Sequence, residues 1–270
     1  MPTRDHKFDL VVDGQHIAGT LVSPSTTLPG VLFVHGWGGS QQQYLARARE
    51  IAALGCVGLT FDLRGHARTD GQQETVSRKD NLEDVLAAYD ELVNHPLVDA
   101  RSMAVVGSSY GGYLAAILAG LRPVRWLALR VPALYKDAGW ELPKKQLHKD
   151  PDFVAYRRRR VRPHDNRALK ACSEFKGDVL IIESEHDDVV PHETIENYRE
   201  AAKRAHSLTY RVIEGADHGL SDDAGQRAYT GVLVNWLTEM IFGARQGPAA
   251  VAQSSARAGA APKEAKPQPG

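Results

Sequence analysis

Five short apolar runs constrain this chain more than any other feature. They are Val31-Leu32-Phe33-Val34, Cys56-Val57-Gly58-Leu59-Thr60-Phe61, Met103-Ala104-Val105-Val106, Trp126-Leu127-Ala128-Leu129 and Val179-Leu180-Ile181-Ile182. A strand without a polar face has to be buried on both sides, the condition of a parallel sheet covered by helices. The intervening segments carry helical patterns. Leu82, Val85, Leu86, Tyr89, Leu92 and Val93 share one helical face, and Asn94-His95-Pro96 ends it because proline cannot continue the ladder. Helices are also expected over 45–54, 113–121, 193–205 and 228–242. Tyr210-Arg211-Val212-Ile213 is a shorter strand candidate. Phe8–Val12 and Ile17–Val22 flank Asp13-Gly14 and read as a hairpin adding antiparallel strands at one edge. The expectation is an α/β protein: a mostly parallel, eight-stranded twisted sheet with an antiparallel N-terminal hairpin and helices on both faces.

Two segments break this rhythm. From Glu141 to Lys176 there are 11 Lys/Arg against 5 Asp/Glu, including Arg157-Arg158-Arg159-Arg160. The stretch is too long for a plain connection and reads either as a solvated basic helix and loop or as a lid insertion, over about 135–176 of a domain spanning 1–242, above a site that favours anionic groups. From Gly243 to Gly270, Ala, Gly and Pro make up 17 of 28 residues, which predicts a disordered tail.

Charge and composition remove several function classes. Lys+Arg and Asp+Glu are both 33, so the chain lacks the basic excess of a nucleic-acid binder. Two cysteines without a Cys-x-x-Cys argue against a disulfide framework and a structural zinc, and no metal is expected. The run Leu114–Leu121 is too short to span a membrane, and the charged start does not read as a signal peptide; a cytoplasmic protein is expected.

The chemistry gathers where strands end. Gly107-Ser108-Ser109-Tyr110-Gly111 follows the run ending at Val106 and opens a helix. This strand–turn–helix context makes Ser109 a candidate nucleophile on a turn too tight for side chains at its glycines, with the Tyr110 amide facing developing negative charge. His35-Gly36-Trp37-Gly38-Gly39 follows another strand, and there the Trp37 amide is the second oxyanion donor, with His35 read as structural. A hydroxyl nucleophile needs a base and the base an orienting acid, in chain order Ser, Asp/Glu, His. Asp187 and Asp188 both stand just past the run ending at Ile182, and His218 follows the last strand in Asp217-His218-Gly219. Trp37, Tyr110, Tyr135 and Trp140 are candidates for a pocket walled by the 135–176 segment.

These motifs, with Asp62-Leu63-Arg64-Gly65-His66, make the chain resemble α/β-hydrolases over about residues 8–242. The resembling group includes dienelactone hydrolases, esterases and prolyl-oligopeptidase-type catalytic domains. In the family pattern G-x-x-D-x-V-V-P the acid falls on Asp187, although Ser184 replaces the glycine; Asp188 is then its neighbour. Arg64 is implied to buttress its loop. The resemblance implies a serine hydrolase that cleaves a small-molecule ester, thioester or amide through an acyl-enzyme on Ser109. It implies no cofactor. Acyl transfer or another reaction on the same scaffold is the alternative, and behind it a non-catalytic binding protein.

Overall fold

The structure, a computed structural model, describes residues 3–12, 15–24 and 27–258, with side chains described for Thr20 and 27–243. A six-stranded parallel sheet is built from β3 (Leu28–Val34), β4 (Val57–Thr60), β5 (Val98–Ser108), β6 (Trp126–Arg130), β7 (Asp178–His186) and β8 (Ser207–Asp217), in the order β4-β3-β5-β6-β7-β8. β1 (Thr3–Val12) and β2 (Gln15–Pro24) pair antiparallel in a two-stranded sheet of their own. The expected eight-stranded sheet is therefore corrected to six, with the hairpin outside it. The run Thr3-Arg4-Asp5-His6-Lys7 explains the separation, since a strand polar on both faces cannot be covered from both sides.

The apolar runs alternate between two cores, which is why they read as unbroken. Leu32, Val34, Met103, Val105, Leu127, Leu129, Val179 and Ile181 face one cluster. Val31, Phe33, Ala104, Val106, Trp126, Ala128, Leu180 and Ile182 face the other. The first core is closed by α2 (Arg78–Val93), α3 (Tyr110–Ala119), α5 (Arg167–Glu174) and α6 (His192–Ala201), the second by α1 (Gln42–Ala53) and α7 (Asp223–Ala258). α2 starts four residues before its apolar pattern because Ser77 and Asp80 form a capping box.

The 135–176 segment is less of a lid than its sequence suggests. It contains α4 (Phe153–Arg158) and α5, and Ala168, Leu169, Cys172 and Phe175 belong to the first core. The predicted disordered tail also differs: α7 continues to Ala258, so 243–258 is helical, as its alanines favour. Residues 259–270 lie outside the described residues. No described helix is long and apolar enough to cross a membrane.

Candidate active site

The turn from β5 into α3 is set by close backbone packing. Ser109 has φ 52° and ψ −117°, a conformation that side-chain-bearing residues seldom adopt. A Cβ at Gly107 would stand 2.4 Å from the Gly111 carbonyl oxygen, and one at Gly111 2.2 Å from that of Val34. Only glycine fits either place. The β3 loop also passes close to the nucleophile candidate, since a Cβ at Gly36 would lie 3.5 Å from that of Ser109.

Three elements bring their side chains to this turn. His218, just past β8, has its Nε2 3.0 Å from the Ser109 hydroxyl and its Nδ1 2.7 Å from Asp187 Oδ2. The other oxygen of Asp187, just past β7, accepts the Val189 and Val190 amides at 2.8 and 2.7 Å. The Asp187 side chain is 4% exposed and that of His218 20%, so the pair is shielded while the imidazole stays reachable. Asp188 is exposed and takes no part. With its Nδ1–H donated to a carboxylate, the imidazole presents Nε2 as an acceptor to the serine hydroxyl.

The oxyanion-loop candidates are held by two neutral histidines. His35 donates from Nδ1 to the Gly36 carbonyl at 2.8 Å and accepts the Leu63 amide at Nε2 at 3.0 Å. His66 donates from Nδ1 to the Arg64 carbonyl at 3.1 Å and accepts the Gly38 amide at Nε2 at 3.0 Å. Burial pushes both imidazoles below the usual histidine pKa, so each keeps the lone pair that its backbone amide needs. The Trp37 amide has no protein acceptor among the described residues. The Tyr110 amide lies in the first turn of α3, where amides have no intrahelical partner. Arg64 buttresses its loop, with Nε 2.5 Å from Asp84 and further contacts to Glu83 and the Asp80 carbonyl.

The cavity beside Ser109 differs from the one expected. It has a volume of about 280 Å³ and reaches from Ser109, His218 and Trp37 towards Arg47, Arg130 and Tyr229. No residue of 135–176 lines it. Tyr110 is fully buried in the first core, with its hydroxyl on Asn81 at 3.1 Å, and Tyr135 is buried beside it. Arg130 and Tyr229 were legible only indirectly. Arg130 extends the second-core register of Trp126 and Ala128, where a charge at a strand's carboxyl end is the available signal.

Residues 42–243 match the model of the prolyl oligopeptidase family. Among solved structures, the chain is 20% identical to a protein described with LipS and LipT, two metagenome-derived lipolytic enzymes, covering 80% of this chain and 96% of that one at a TM-score of 0.61. It is 18% identical to dienelactone hydrolase from Anabaena variabilis, covering 88% and 98% at 0.56. It is 15% identical to the Pyrococcus horikoshii acylaminoacyl peptidase, covering 88% of this chain and 42% of that one at 0.59. At these identities the likeness is one of fold, the α/β-hydrolase fold. A search of curated sequences finds no match.

Proposed function

The chain belongs to the prolyl oligopeptidase family, and from that premise we propose that it is a serine hydrolase acting on a small-molecule ester, thioester or amide through an acyl-enzyme on Ser109. The observation that carries the reading is the continuous hydrogen-bonded chain from Ser109 through His218 to Asp187, at 3.0 and 2.7 Å, closing on a strained turn.

His218 Nε2 removes the hydroxyl proton as Ser109 Oγ attacks the carbonyl carbon. The negative charge moves to the carbonyl oxygen, where the amides of Trp37 and Tyr110 stabilise it; a donor of this kind is worth about 10²–10³-fold in rate. Asp187 keeps Nδ1 protonated and stabilises the imidazolium. His218 returns the proton to the leaving group. Water, activated by the same nitrogen, then attacks the acyl carbon and frees Ser109.

A fluorophosphonate probe tests the assignment. The labelled peptide should carry the adduct on Ser109 and not on Ser108. Ser109→Ala should lose labelling and at least about 10⁴-fold of 4-nitrophenyl butyrate turnover, while its far-ultraviolet circular dichroism is unchanged. Labelling that persists in Ser109→Ala overturns the reading.

A further inference from the structure

The cavity next to Ser109 contains two arginines and no carboxylate among its lining residues. Arg130 is 5% exposed. It comes from the end of β6, in register with Ser108 of β5 and Ile182 of β7, and so lies on the α1/α7 face of the sheet. Both of its terminal nitrogens donate to the His218 carbonyl, one of them at 2.9 Å. Its Nε–H has no partner in the protein. Its guanidinium lies 5.5 Å from the Tyr229 ring centroid, and the Tyr229 hydroxyl is buried beside Ser108 and Tyr44.

Arg47 reaches the same cavity from α1. It is held by the Thr230 hydroxyl at 3.0 Å and the Gln43 carbonyl at 2.8 Å, and its guanidinium lies 4.8 Å from the Tyr229 ring centroid. Neither arginine is within ion-pair distance of a carboxylate among the described residues. Burial disfavours the charged form of Arg130, and the Asp187 carboxylate offsets only part of that cost from beyond ion-pair distance. Two guanidiniums held in place at one cavity wall, each beside the Tyr229 ring, offer a carboxylate positive charge and the N–H donors that their carbonyl and hydroxyl partners leave over.

We propose that Arg130 and Arg47, with Tyr229, form an anion subsite, and that the substrates of this enzyme are esters or amides carrying a carboxylate. The proposal rests on the reading of Ser109 as nucleophile and adds the substrate class to it. Because the guanidinium groups line the cavity itself, the preference arises from contact and not from long-range attraction.

The test compares kcat/KM for 4-nitrophenyl hemiglutarate with that for 4-nitrophenyl pentanoate, which places the charge on the acyl side. It also compares 4-carboxyphenyl with 4-carbamoylphenyl butyrate, which places it on the leaving side. At least one pair should favour the charged ester by about 10–100-fold, the scale of one or two charge-assisted hydrogen bonds. That ratio should persist at 0.5 M salt, where long-range steering is screened. It should fall towards unity in Arg130→Met and in Arg47→Gln; the second site is half-exposed, so it still reads the effect where the first disturbs folding. Fluorophosphonate labelling of Ser109 runs in parallel. Labelling without a charge preference, a preference abolished by salt, or one untouched by both variants overturns the subsite. Absence of labelling overturns the nucleophile instead.

Discussion

Positive charge is distributed in opposite ways on the two sides of Ser109. The segment between β6 and β7 carries arginine at 157, 158, 159, 160, 162 and 167, yet none of these lines the cavity. Arg159 pairs with Asp152, Arg162 with Asp165 and Arg167 with Asp137. Arg157 turns inward and donates to the Leu134 and Val189 carbonyls. Arg158 and Arg160 share a surface cleft with Glu193, Glu196 and Glu200. The opposite side, under α1 and α7, brings only Arg47 and Arg130 to the cavity, and neither is paired with an acid. A run of charge in sequence therefore says little about the field at a site; what counts is which charges the fold leaves without partners.

The contrast is anchored on Asp187, the acid proposed to orient His218, and the largest expected effect breaks or keeps that anchor. In Asp187→Asn the amide oxygen can still accept the Val189 and Val190 N–H groups, but the amide nitrogen then faces Nδ1. That forces the proton onto Nε2, the wrong tautomer for accepting from Ser109. A loss of about 10³–10⁴-fold in kcat is expected, with Asp188→Asn within twofold of the native enzyme. Steady-state kinetics on 4-nitrophenyl butyrate decide it, and a collapse confined to Asp188→Asn would move the acid by one residue.

Lys144 on the insert side is, like Arg157, a buried cation with no ion-pair partner among the described residues. It lies 4.2, 5.2 and 5.6 Å from the ring centroids of Trp37, Tyr110 and Tyr135. Burial, helped by Arg157 and Arg78, lowers its pKa from 10.5 to about 7. The unfolded chain then binds more protons between about pH 7 and 10.5, so Lys144 makes stability rise with pH across that window. The aromatic faces offset part of the charge cost below it. Urea unfolding at pH 7 and pH 9 should show the native protein gaining up to about 2 kcal/mol relative to Lys144→Met. A parallel pH dependence in the two proteins would mean that Lys144 stays protonated in the folded protein at both values.

The smallest effects sharpen the contrast within the arginine run. Arg157→Gln should cost about 1–3 kcal/mol in urea unfolding, because two carbonyls lose their donor. The triple change Arg158→Gln, Arg159→Gln, Arg160→Gln should alter stability by no more than about 0.5 kcal/mol. It should also leave the charged-to-neutral ester ratio within twofold. If the triple variant alone removed that ratio, the two sides of Ser109 would have exchanged roles.

The parts legible in the sequence were those encoded within a few residues of one strand end. Ser109, Trp37 and His218 each sit in a short motif beside a strand end, whereas residue type and spacing left Asp187 and Asp188 both open until the family pattern chose between them. The cavity was not legible because Tyr44 and Arg47 of α1, Arg130 of β6 and Tyr229 of α7 are far apart in sequence and meet only through packing against the second core. Tyr110 misled for a physical reason: at the start of α3 its amide and its ring diverge, the ring entering the first core beside Tyr113 and Tyr135. The strand count failed at the hairpin, whose polar first half pairs only with its own return strand.

The two glycines of the turn divide the site by mutability. At 107 and 111 an added methyl group would meet backbone atoms, which cannot rotate away, so both positions are closed to sequence drift and to saturation libraries alike. Gln43 and Gln226 line the same cavity on exposed helical turns, where side chains exchange without moving the chain. Diversification of this enzyme, by natural selection or in the laboratory, is thereby channelled to the α1/α7 rim. New specificities would accumulate there while the reacting centre is inherited unchanged.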